Sequence, residues 1–111
     1  MFRQGDVLLV AVQPERLPTH ARPLPRDARG RLVLALGEVT GHAHAVAAPD
    51  AELLDDPGPV GGRFLCVVTA ARLTHEEHAA ISLPAGLYRV VRQREYAPGW
   101  EGEPGQRQVA D

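Results

Sequence analysis

Arg63-Phe64-Leu65-Cys66-Val67-Val68-Thr69-Ala70-Ala71-Arg72-Leu73 reads as one long apolar strand, buried on both faces for most of its length. What flanks it points the same way. Downstream, Ala79 to Leu83 and Leu87 to Tyr96 are two further extended stretches, with Leu83-Pro84-Ala85-Gly86 between them fitting a type I turn that ends on glycine. A hairpin is expected there, and on its second arm Tyr88, Val90, Arg92, Arg94 and Tyr96 share one face, opposite Leu87, Arg89, Val91, Gln93 and Glu95.

Upstream, Val7 to Val12 is a continuous apolar run introduced by Gly5-Asp6 and closed by Gln13-Pro14, a length and a pair of flanks that favour a buried strand over a helix. Arg31 to Leu36 reads as another strand, and Gly37 permits a bend or bulge before the stretch Glu38 to Val46. Between these elements the chain is broken by loops. Residues 13–30 carry Pro14, Pro18, Pro23 and Pro25, residues 55–62 are Pro and Gly rich, and the tail 97–111 is irregular apart from a possible edge strand over Gln106 to Ala110. Pro49-Asp50 is expected to start a single helical turn through Leu54. The pattern predicts one all-β domain, a small barrel or sandwich of six to seven mostly antiparallel strands.

With 44% apolar and 23% charged residues the composition is that of a globular protein, and 111 residues suffice for one modest core. The formal charge of −2 argues against a general nucleic-acid surface. No stretch approaches the roughly 20 apolar residues of a membrane-spanning helix, and the start carries no signal-peptide core, so a cytoplasmic location is expected. Cys66 is alone, which excludes a disulfide within the chain and a cysteine-rich zinc site. All twelve basic residues are arginine and asparagine is absent, a bias expected of a GC-rich bacterial genome.

Four of the five histidines fall in two short clusters, His42/His44 and His75/His78; the fifth, His20, belongs to the proline-rich loop. On a strand, Glu38, Thr40, His42 and His44 would project from one face, and two imidazoles two residues apart can lean onto one ion. His75 and His78 face the same side only if Thr74 to His78 forms a turn. Imidazole and carboxylate without thiolate suit a divalent transition metal such as Zn, Fe, Mn or Ni. Glu38, Glu76 and Glu77 are carboxylates at hand, as ligands or as partners of the imidazole N–H groups.

Gly37, the pair His42-Ala43-His44 and the turn Leu83-Pro84-Ala85-Gly86 resemble the two motifs of a minimal cupin, over about sixteen residues in all. The resemblance implies a metal on His42 and His44 and a third histidine after the Pro-x-Gly turn. Here Arg89 stands in that place, no glutamate follows His44 at the cupin spacing, and the glycine is one residue nearer the first histidine. His75 or His78 would then complete the site. Two functions lead from the residues, ahead of an anion or nucleic-acid contact through Arg92 and Arg94 and of a pH switch built from the four clustered histidines. In one, the metal acts on a small-molecule substrate, with Glu38 or Glu77 as catalytic base and Arg89 or Arg92 as an anion clamp. In the other, the domain is a metal-free module that binds a partner protein.

Overall fold

The structure is a computed structural model and describes residues 1–37, 39–59 and 61–93. Its elements are eight strands: β1 (Phe2–Gln4), β2 (Val7–Val12), β3 (Arg22–Pro23), β4 (Leu32–Leu36), β5 (Ala43–Val46), β6 (Glu52–Asp55), β7 (Arg63–Thr74) and β8 (Ile81–Arg92). One 3-10 turn, Pro14–Arg16, is the only helical element among the described residues, and no helix there is long and apolar enough to cross a membrane. Every strand pairing is antiparallel. The all-β expectation is met, with eight strands where six to seven were expected; β1 and β3 are too short to leave a periodic signature.

The two long strands hold the fold together by belonging to two layers at once. The first half of β7 pairs with β6, its last residues with β5; β8 pairs with β2 only from Leu87 onward, and through Ile81 to Pro84 with β7 alone. Between these halves the β7–β8 register slips from Val67↔Gly86 to Ala70↔Pro84. A bulge there bends the hairpin, so that a layer of β1, β2, β6 and the near halves of β7 and β8 folds over one of β4, β5 and the far halves. The path runs β1-β2-β8-β7-β5-β4 and does not close, giving a sandwich-like body rather than a barrel. Leu9, Leu65 and Tyr88 from the first layer meet Leu32, Val46, Leu73 and Leu83 from the second in one core.

Three sequence expectations are corrected. Leu83-Pro84-Ala85-Gly86 is not a turn: it lies inside β8, at the bend, where Pro84 has a ladder partner on one side only and its missing N–H is tolerated. Residues 50–54 are not helical, because Leu53 and Leu54 are drawn into the core as part of β6 opposite Leu65 and Phe64. And β7 is not buried on both faces for most of its length: Val68, Thr69 and Ala70 are exposed where the bulge turns the strand outward, as are Arg72 and Thr74 beyond it. Cys66 is half-buried as a free thiol. The tail 97–111, with Trp100, lies outside the described residues.

Candidate metal centre

Three connections converge at one end of the sandwich: the β1–β2 turn at Gly5-Asp6, the β4–β5 connection over 37–42, and the β7–β8 loop over 75–80. The bend in the long hairpin carries its tip back over the other two. Gln4 fastens the arrangement, its amide Nε2 donating to Leu73 O and Ala79 O, both at 3.0 Å, on either side of that tip.

Four imidazoles meet there. The ring of His75 lies 4.3 Å from that of His44, 4.7 Å from His78 and 5.6 Å from His42, centroid to centroid, and His44 and His78 are 6.0 Å apart. The packing is close enough that only glycine fits beside it. A Cβ at Gly5 would stand 2.8 Å from His78 Nε2, and one at Gly37 would stand 2.9 Å from His75 Nε2. Gly5 also has φ of +59°, which the tight β1–β2 turn requires.

The structure brings the four clustered histidines of the sequence together but presents two of them otherwise than expected. His42 and His44 do not share a strand face. Residues 39–42 form a turn closed by His42 N–H on Val39 O and Gly37 N–H on His42 O, and β5 starts only at Ala43. Gly41, at φ +89°, supplies the left-handed residue that this turn needs. His44 is therefore fully buried on β5, while His42 hangs half-exposed from the turn. His75 and His78 do lie on a bend rather than on a continued strand, as their joint participation required. His20 is exposed in the proline-rich loop.

The hydrogen-bond network sets the nitrogens. Because the Gln4 amide nitrogen is committed to two carbonyls, its Oε1 faces His44 and accepts from Nδ1–H at 2.9 Å. That places the lone pair of a neutral His44 on Nε2, which also lies 3.5 Å from Asp6 Oδ1. Asp6 is buried in turn, its other oxygen accepting from Arg92 Nε at 3.1 Å, and Arg92 Nη2 donates to Leu36 O at 2.6 Å. His75 has the opposite setting: Nδ1 accepts the Glu77 N–H at 3.0 Å, and its buried Nε2 has no hydrogen-bond partner among the described residues.

Two carboxylates border the rings. Glu76 Oε1 accepts the Ala43 N–H at 2.8 Å, and this bond, chiefly, holds its carboxyl below the usual glutamate range. Ligand atoms of His42, His75 and Glu76 all lie within 4.8 Å of one another, close enough for small side-chain shifts to bring them onto one ion. Glu77 is largely exposed, with Oε2 3.7 Å from His42 Nδ1. Glu38 lies outside the described residues. Arg92 is tied to Asp6, whereas Arg89, which alternates with it along β8, has no ion-pair partner among the described residues; both border one cleft. Sequence reading missed Gln4 and Asp6, whose place beside a reverse turn is ordinarily a solvated one; only the tertiary fold buries them.

A family model described as Domain of unknown function (DUF8820) matches residues 3–93, which span the whole described sandwich from β1 to the end of β8. The chain belongs to this family. No curated protein and no solved structure matches it. The histidine cluster, with Gln4, Asp6 and Arg92 behind it, falls entirely within the DUF8820 domain.

Proposed function

We propose that this DUF8820 domain binds one divalent transition metal ion in its histidine cluster, with His42, His75 and Glu76 as its ligands. The observation that carries the reading is the convergence of His42, His44, His75 and His78 from two separate connections and one strand, with rings 4.3–6.0 Å apart. Nothing in packing alone favours four imidazoles in contact, since each brings polar nitrogens that must find partners on burial. The ligand atoms of His42, His75 and Glu76 are within 4.8 Å of one another, a separation that small side-chain shifts would close onto one ion. On the other side of His75, the Gln4 carbonyl orients His44 as outer partners orient metal-bound imidazoles. An imidazole that accepts at Nδ1 keeps its proton on Nε2, so His75 must give up the Glu77 N–H bond to ligate through either nitrogen. The 75–80 loop is thus expected to shift slightly as the ion enters.

Elemental analysis of protein purified without an affinity tag tests the reading. Near one equivalent of Zn, Fe, Mn or Ni is expected, retained through gel filtration and lost in His75→Ala. Metal-free protein whose melting temperature is unmoved by any of these ions would overturn it.

A further inference from the structure

A cleft of about 670 Å³ is lined by apolar residues including Val7, Leu34 and Val90 together with Arg63, Arg89 and Arg92. Its volume is within the range of small-molecule sites. Its charge is what sets it apart. Three guanidiniums face it against one carboxylate, Asp55, in a chain whose overall formal charge is −2.

Two of those guanidiniums are not spent on the fold. Among the described residues, neither Arg63 nor Arg89 has a carboxylate within 4.0 Å, although Asp55 stands directly across the β6–β7 ladder from Arg63. Arg63 makes one long bond, Nη1 to Leu34 O at 3.3 Å, and Arg89 makes none. Gly62, left-handed at φ +120°, leaves room beside the Arg89 guanidinium, whose Nη2 would be 4.0 Å from a Cβ there. Arg92 differs, being anchored to Asp6 and Leu36 O as a fixed wall. Arginine presents several donors in a planar fork that matches carboxylate and phosphate oxygens in pairs.

We infer that the Arg63–Arg89–Arg92 cleft is a binding site for a small polyanion, a phosphate ester or a di- or tricarboxylate, with Arg63 and Arg89 as its clamps. The site stands on its own charges and volume and does not require a metal in the histidine cluster.

Calorimetric titration of the full chain, stripped of metal with EDTA and then exchanged into chelator-free buffer of low ionic strength, with inorganic pyrophosphate and with citrate as probes, tests it. One-to-one binding of at least one probe is expected, with Kd near or below roughly 1 mM. The identity of the tighter probe tells phosphate from carboxylate chemistry. Arg63→Gln/Arg89→Gln, both on exposed side chains, should weaken it by about tenfold or more, and Arg29→Gln, in the exposed loop before β4, should not change it. Absence of binding by both probes at millimolar concentration, equal affinity in the double variant, or equal weakening in Arg29→Gln would each overturn the assignment. Since the titration is metal-free, its failure would leave the elemental analysis of the histidine cluster untouched.

Discussion

The amide of Gln4 makes three hydrogen bonds from a side chain only 3% exposed, two to carbonyls of the β7–β8 region and one to His44. Replacing it with leucine keeps the bulk and strands Leu73 O, Ala79 O and His44 Nδ1 together. Gln4→Leu should cost about 1–3 kcal/mol of stability, read from urea melts, and weaken Zn binding about 10–100-fold through loss of ring orientation. Gly5→Ala is a sharper probe of the cluster. It sets an alanine at φ +59° and a Cβ 2.8 Å from His78 Nε2, so about 1–2 kcal/mol is expected from the backbone alone. The ring of His78 must also move, which ¹⁵N spectra of its imidazole would register as a changed environment, while His20, exposed in its loop, keeps its signals. Of this scale the sequence disclosed the histidines and little else. Imidazole chemistry is written in residue type, whereas the burial of Gln4 and Asp6 is a property of what folds over them.

At the scale of elements, the strands that periodicity and apolar runs specify, β2, β4 and β7, stand within a residue or two of where the sequence puts them. The misreadings cluster where one local signal has two tertiary outcomes. Pro84 and Gly86 serve a turn in one context and a bend within a long strand in another, and only the one-sided pairing of β8 before Leu87 selects the second. Likewise Leu53 and Leu54 carry no period of their own and become strand because β7 offers an edge. Where the two layers join, Leu83 is 1% exposed within the common core, so Leu83→Ala should cost about 2–5 kcal/mol in equilibrium unfolding. The Asp27–Arg31 connection that launches β4 gives a pH-dependent counterpart. Backbone N–H groups of Arg31 and Arg29 and the Arg31 guanidinium lower the Asp27 carboxyl below its ordinary range, the Arg31 backbone bond most of all. A carboxyl depressed in the folded state stabilises above its unfolded pKa and ceases to do so as pH falls through the folded one. Asp27→Asn should therefore lower the melting temperature at pH 7, and the gap from the parent should narrow as pH falls below the ordinary aspartate range.

For the molecule as a whole, the sandwich is open along its path, and the two connections and the strand that present the histidines are joined at the cluster by Gln4, Asp6 and ring contacts. An ion held on His42, His75 and Glu76 would link the β4–β5 connection to the β7–β8 loop, segments that separate on unfolding. Binding to the folded form alone raises stability by RT ln(1 + [L]/Kd), about 2.7 kcal/mol at a hundredfold excess over Kd. The melting temperature should therefore climb with free Zn and keep climbing logarithmically past saturation, and EDTA should return it to the metal-free value. Because Gln4 and Asp6 tie the cluster to the β1–β2 turn of the other layer, the gain should appear in the global transition: amides of β2 and β8, which do not carry a histidine ligand, should gain hydrogen-exchange protection with added Zn as those of β5 do. Protection confined to β5 and the 75–80 loop would instead mean that the ion tightens a local opening and leaves the two-layer body unaffected.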